Sequence, residues 1–516
     1  MPRWFNVSGP CNPADHYMLP VLRRVPSVRA LIDQKSYFVL HAPRQVGKTT
    51  TMLGLAKELT REGRYCSAVV SMETGAPFSS DPGAAEVAVL ASWRWTLERQ
   101  LPEALRPPPW PEAGPGARLG AALAAWSKAC PRPLALFLDE IDALRDEALL
   151  SVLRQLRAGY FDRPALFPSS VALIGMRDVR DYAITSGSSG RLGSSSPFNI
   201  KDEALTLGGF TRQEVADLYA QHTTDNGQVF LPEAIDRAFH LTQGQPWLVN
   251  ALARRLTQEL VPDRAQAITA ADVDRAKEIL IRRQDTHLDS LSERLREPRV
   301  RQILEPMLAG TFPGDLPRDD VRYLCDLGLL VQENGHGLTV ANPIYREIIV
   351  RDLAAAPTAF LPTIAPSWLR PDGRLDADKL LAAFVAFWRQ HGEAMLKSAP
   401  YHEIAPHLVL MAFLHRVVNG GGTIDREYAI GSGRMDLCVR YGPDLLALEL
   451  KVWREGEPDP LDEGLQQLDG YLAGLGLATG WLVIFDRRPG LARFSQRTST
   501  APATTPSGRA VVVIRG

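Results

Sequence analysis

Short apolar runs alternate with amphipathic stretches along the N-terminal part of the chain. SYFVLHA (36 to 42) runs into a turn rich in Gly, Lys and Thr. It is followed by TMLGLAKELTREG, where the spacing of Leu53, Leu55, Ala56 and Leu59 predicts a helix ending at Gly63. Strand-like runs recur at SAVVSM (67 to 72), LALFLDE (134 to 140) and VALIGM (171 to 176), with helical patterns between them. That alternation predicts an α/β fold with a parallel sheet over residues 1 to 205. The segment TSGSSGRLGSSS (185 to 196) holds too much Gly and Ser to pack and is expected to be a loop. Over 206 to 297 the pattern turns helical, through FTRQEVADLYAQHT, PEAIDRAFHLTQ and WLVNALARRLTQEL. Thr211 suits an N-terminal cap, and Gly244 and Pro246 interrupt the array, so this region is expected to form a helical lid.

From 298 to 355 the pattern reads helix (VRQILEPMLAG), helix (RDDVRYLCDLGLL), hairpin (VQENGHGLTVAN) and closing helix, the order of a winged helix. Its charges are mixed and no helix is dense in Lys or Arg, which favours a packing role over DNA readout. Pro357, Pro362, Pro366 and Pro371 predict a semi-rigid, non-helical linker over 356 to 375. A separate α/β domain is expected over 376 to 516. It has two helices (ADKLLAAFVAFWRQHG, EIAPHLVLMAFLHRVVN), strands at TIDREYAI, RMDLCVRY and DLLALELKVW, a helix at LDEGLQQLDGYLAGL and a strand at GWLVIFD. From Arg487 to Gly516 there are six arginines and no acidic residue, a segment suited either to phosphate contacts or to a solvated tail.

At 516 residues the chain is long enough for three to four domains at about 150 residues each. With 58 Lys and Arg against 59 Asp and Glu, no global basic field recruits nucleic acid, so any such binding must come from local patches or bound metal. The five cysteines lie far apart with no CxxC pair, which disfavours a disulfide framework and a thiolate zinc site. MPRWFNVSGPCNP lacks a signal-peptide core, and no apolar run reaches membrane-spanning length, so a cytoplasmic protein that does not engage the membrane is expected.

Candidate chemistry changes the picture at two places. Ala42, Pro43, Arg44, Gln45, Val46, Gly47, Lys48, Thr49 and Thr50 form a phosphate-binding loop with Ala where Gly is usual. Backbone N–H groups at the start of the following helix can surround phosphates, Lys48 adds positive charge, and the Thr49 hydroxyl can hold Mg²⁺. The later apolar strand delivers Asp139, to hold Mg²⁺ through water, and Glu140, to polarise the attacking water. ATP and Mg²⁺ are the expected ligands. The APRQVGKTT loop, the FLDEID and LIGMRD strands and the LTQGQPWLV segment resemble the archaeal-type, AAA-like ATPases close to the STAND class over residues 1 to 352. The resemblance implies that Arg177 senses phosphate and that Pro246 contacts nucleotide from the lid. No residue is identifiable as an arginine finger.

The second place is Gly431-Ser-Gly-Arg-Met-Asp436, followed by Glu449-Leu-Lys451. On a strand Glu449 and Lys451 face the same way, and a hairpin can bring Asp436 to that surface. Two hard carboxylates can bind Mg²⁺, and an ammonium beside them can orient a water for attack on phosphorus. This set resembles the PD-(D/E)XK nuclease superfamily over about 376 to 490, with Met435 in place of the Pro expected before the first acid. The resemblance adds Glu403 as a further metal carboxylate, and Gln467 and Tyr471 as the QxxxY extension. Together the two resemblances imply an ATP-controlled, Mg²⁺-dependent nuclease acting on DNA, a homo-oligomer responsive to nucleotide, in genome or antiviral defence or mobile-element control. The alternative is a STAND-like nucleotide switch whose C-terminal domain only binds a partner.

Overall fold

A computed structural model of the chain describes residues 2–176, 203–283, 286–308, 316–333, 337–359, 368–398, 406, 409–411, 413–414, 422–429 and 434–516. These pack as two compact units, one of Met1–Arg283 with Cys325–Leu329, the other of Gln284–Leu324 with Leu330–Gly516.

In the first unit the apolar runs become β1 (Tyr37–His41), β2 (Cys66–Ser71), β3 (Leu134–Asp139), β4 (Ser170–Gly175) and β5 (Glu203–Thr206). They form one sheet in the order β2-β3-β4-β1-β5 with every pairing parallel. Alternation along β1 sends Tyr37 and Val39 into a core with Trp93, Trp126 and Leu153, while Phe38 and Leu40 join Leu55, Leu59 and Phe137 on the other face. β3 and β4 are buried at every position, as strands covered on both faces must be. This order sets the C-terminal ends of β1 and β3 on either side of β4, at the edge where parallel sheets bind ligands.

A helical array follows: Arg212–Asn226, opened by a capping box between Thr211 and Glu214, then Pro232–Thr242, Pro246–Arg255 and Ala270–Arg283. A backbone clasp secures its start. Phe210 N–H donates to Gly244 O at 2.7 Å, and a Cβ on Gly244, which sits at φ +72, would lie 1.8 Å from Phe210 O. Gly244→Ala is therefore expected to destabilise this unit by at least about 2 kcal/mol, because the obstruction is backbone and cannot rotate away. Gly227→Ala, at φ +80 in open space, should cost only about 1 kcal/mol, the left-handed penalty alone. Urea unfolding of the two variants measures the difference.

The N-terminal segment is tied to both parts of this unit. Phe5 and Tyr17 pack on Tyr219, His222 and Phe230 of the array, and Trp247 Nε1 donates to Val7 O at 2.9 Å. Cys11 N–H donates to Thr50 Oγ1, just beyond the phosphate loop, at 3.0 Å.

In the second unit, helices Pro298–Leu308 and Pro343–Ala359 flank the antiparallel hairpin of β6 (Leu330–Glu333) and β7 (Gly337–Val340). The last of these helices corrects the sequence reading, since it runs through Pro357 into the segment expected to be a non-helical linker. Pro357 lies in its final turn, where the missing N–H removes one bond and leaves the preceding turns intact. A six-stranded mixed sheet follows, built from β8 (Gly422–Ala429), β9 (Arg434–Tyr441), β10 (Asp444–Trp453), β11 (Gly480–Asp486), β12 (Ser499–Thr504) and β13 (Ala510–Arg515) in the order β12-β13-β11-β10-β9-β8. β8, β9 and β10 form an antiparallel meander, and β10, β11 and β13 are mutually parallel neighbours. The helix Leu461–Leu475 connects β10 to β11 and buries Leu468 and Leu472 against Ala447, Leu482 and Ile484.

The chain end is thus no solvated tail. Val511, Val513 and Ile514 are buried in β13 between β11 and β12, and that alternation outweighs the surrounding arginines. The Gly/Ser-rich stretch 185 to 196 lies outside the described residues.

Candidate functional site

β1 delivers the chain into the phosphate loop, which turns through left-handed conformations at Gln45 (φ 59) and Gly47 (φ 88) before the helix Lys48–Glu62 begins. Glycine is the residue that tolerates the second of these at no cost. Lys48 Nζ reaches back and donates to Ala42 O at 2.7 Å and Pro43 O at 2.8 Å, so its ammonium sits inside the loop's curve. Burial lowers its pKa to about 8, while Asp142 and Asp139 pull upward and Arg44 pushes down. Thr49 Oγ1 donates to Asp139 Oδ2 at 2.5 Å, joining the helix start to the end of β3.

Asp139 is 5% exposed; burial raises its pKa, against the Thr49 bond and the Glu140 N–H that donates to its other oxygen at 3.0 Å. Glu140 adopts φ 57 at the strand end, and Ser71 Oγ, from the end of β2, donates to its carboxylate at 2.9 Å. Burial raises the Glu140 pKa, with Glu73 and Asp139 adding to it and Ser71 opposing. The structure brings Ala42 to Thr50, Asp139 and Glu140 to one sheet edge, as the sequence predicts. Pro246 is buried as the first residue of its helix, whose start is capped by Gln245. Arg177 lies outside the described residues.

Arg24 escaped the sequence reading. Its guanidinium donates to Val46 O in the phosphate loop at 2.8 Å and to Gly208 O, at the entry to the helical array, at 2.6 Å. It also lies 4.8 Å from the Phe210 ring centroid. Burial lowers its pKa to about 10. A single Arg ahead of the first strand carries no pattern that announces such a role.

A parallel sheet whose first strand enters this strand, loop and helix, with acids at the end of a neighbouring strand, is the P-loop nucleotide-binding fold of the ATPase type. No protein-family model matches the sequence, and no curated protein matches it. Among solved structures the chain is similar to the Walker-type ATPase PABY2304 of Pyrococcus abyssi, at 12% identity and TM-score 0.49, over 67% of this chain and 99% of that one. It is also similar to the RuvB Holliday junction branch migration motor of Thermotoga maritima, at 18% identity and TM-score 0.35, over 63% of this chain and 92% of that one. A third similar structure is the Aeropyrum pernix ORC2 protein, at 14% identity and TM-score 0.37, over 65% of this chain and 95% of that one.

In the second unit the register of β9 against β10 places Asp436 directly across from Glu449. Glu449 is fully buried, and neither of its carboxylate oxygens has a hydrogen-bond partner. Lys451 Nζ is 3.7 Å from Glu449 Oε1 and donates to Glu463 Oε1 at 2.9 Å. Gln467 Nε2 donates to the same Glu463 oxygen at 2.7 Å, from one turn further along the helix. Glu463 is therefore the residue that links Lys451 to Gln467; its spacing of four from Gln467 was the signal available in the sequence. Tyr471, a further turn on, packs against the helix and sheet core. Glu403 lies outside the described residues, and among the described residues no group of three or more His, Cys, Asp and Glu side chains converges.

Proposed function

We propose that the first unit binds and hydrolyses ATP with Mg²⁺ and thereby controls a metal-dependent nuclease in the second, with DNA as substrate. The observation that carries the nuclease half is Glu449. A carboxylate taken wholly out of water without a hydrogen-bond donor is costly, and a lysine at 3.7 Å offsets only part of that cost. A hard cation shared between Glu449 and Asp436 fits this donor set. Bound there, Mg²⁺ supplies a Lewis acid that draws charge from phosphoryl oxygens. Lys451 places a positive charge at the same edge, held in line by Glu463.

In the ATPase half, Lys48 meets phosphate charge, Thr49 and Asp139 hold the cation, and Glu140 polarises the attacking water while Ser71 fixes its carboxylate. The DNA reading follows from the acidic, metal-requiring centre and a chain with no net basic field. One such site cuts one strand, so a duplex break requires two copies, which motivates a nucleotide-dependent homo-oligomer. The role in defence against mobile or viral DNA belongs to this same reading. The test is purified protein on circular DNA, with and without Mg²⁺ and ATP, scored for nicked and linear product and for ADP. Metal-dependent nicking whose linear fraction changes with ATP is expected; ADP without any cleavage in Mg²⁺ or Mn²⁺ would favour a switch that only binds a partner.

A further inference from the structure

Among the five cysteines two are in contact. Cys66 opens β2 and is fully buried, while Cys130 follows the helix Arg118–Ala129 and is partly exposed. Their thiols are hydrogen-bonded to each other across the junction where Cys66 N–H also donates to Pro133 O at 3.0 Å. Cys66 Sγ reaches Leu105 O at 3.6 Å, the carbonyl that also accepts Trp126 Nε1 at 3.0 Å, so the buried thiol is held on a fixed side of the pocket. We propose that Cys66 and Cys130 form a peroxide-sensitive thiol pair, in which Cys130 is the attacking sulfur and Cys66 the resolving one, closing a reversible disulfide.

The division of labour follows from the surroundings. The Cys130 thiol is lowered to about 7, chiefly by the hydrogen bond from Cys66, with the Arg132 backbone N–H and guanidinium assisting against burial. That same bond and burial push Cys66 up. Cys11 and Cys325 are both raised by burial, so neither offers a comparable thiolate at neutral pH. In the first step the Cys130 thiolate attacks one oxygen of hydrogen peroxide. An S–O bond forms, the O–O bond breaks, and hydroxide leaves and takes a proton from solvent. In the second step the Cys66 sulfur attacks the sulfenic sulfur, the S–S bond forms, the S–O bond breaks, and the departing hydroxide leaves as water with the Cys66 proton. Overall two thiols and one peroxide give one disulfide and two waters.

The bond would join the N-terminal ends of β2 and β3, which are paired at Cys66 and Leu134. That is the end of the sheet away from the phosphate loop, so modification leaves the nucleotide site open and is independent of the function proposed above.

The test uses the full chain, treated with hydrogen peroxide, alkylated and mapped without reduction. A peptide cross-linking Cys66 to Cys130 should form about tenfold faster than oxidation at Cys11 or Cys325, the gain in thiolate being partly offset by the lower nucleophilicity of a more acidic thiol. In Cys66→Ser, and in Cys66→Ala as a second variant with folding followed by circular dichroism, Cys130 sulfenic acid should persist and be captured by dimedone. In Cys130→Ser, Cys66 should stay reduced. Absence of the cross-linked peptide, with Cys11 or Cys325 oxidising first, would overturn the proposal, as would equal dimedone capture at Cys130 in wild type and both Cys66 variants.

Discussion

Lys48→Ala should abolish saturable ATP binding, whereas Glu140→Gln should retain ATP and slow hydrolysis by about 100-fold or more. The first removes the cation that sits within the loop, 2.7 Å from Ala42 O. The second keeps the shape and the Ser71 hydrogen bond but loses the charge that polarises water. The two variants therefore separate binding from chemistry, by calorimetry for one and ADP release for the other. The pH dependence carries a definite sign. Free Lys48 is ammonium below about 8 and neutral above it. Bound phosphate favours the ammonium, so binding above pH 8 should take up a proton and weaken by up to tenfold per pH unit. Stability of the free protein moves the opposite way. The buried ammonium disfavours the fold below 8, and this group's contribution improves as pH rises from 8 towards its ordinary value of 10.5. Proton uptake measured in buffers of different ionisation enthalpy checks the first effect, and equal ADP release by wild type and both variants would remove the ATPase assignment.

Glu449→Gln should stop DNA cleavage altogether and, in the absence of metal, raise the melting temperature. Both results share one cause: the carboxylate is fully buried without a donor, so its charge opposes folding until a cation meets it. Accordingly Mn²⁺ or Mg²⁺ should raise the melting temperature of the wild type and leave that of Glu449→Gln unchanged. Lys451→Met should act in the other direction on stability, by about 3–5 kcal/mol, since it leaves the buried charge without its only nearby cation at 3.7 Å. Cleavage by Glu449→Gln at the wild-type rate would exclude a catalytic role for this centre. Asp436→Ala should also lose cleavage, because its backbone pairs directly with that of Glu449.

The phosphate loop and the acidic strand end were legible in the sequence because each is a contiguous run whose chemistry and local conformation coincide. The parallel sheet was legible from its strands, but β5 was not, being four residues long with no position buried. The strand order β2-β3-β4-β1-β5 depends on which edges meet in space, information that periodicity along the chain does not hold. The same limit hid Ser71, Arg24 and Glu463, single polar residues whose partners lie 69, 184 and 12 positions away. Arginine content misled at the chain end, where the apolar face of β13 decides the outcome. In the linker, Pro357 was weighed as an interior helix breaker when it falls in a final turn.

Arg24 makes the phosphate loop and the entry to the helical array parts of one lever. Its planar guanidinium grips a carbonyl on each side, Val46 O and Gly208 O, both within 2.8 Å. A hydrogen bond tolerates only a few tenths of an ångström before it weakens. Rotation of the array about Gly208 and Gly209 must therefore break one arm of this grip or drag the loop's carbonyl with it. Displacement at the array is passed to the phosphate cradle through main chain alone, with no lid side chain required to touch the nucleotide.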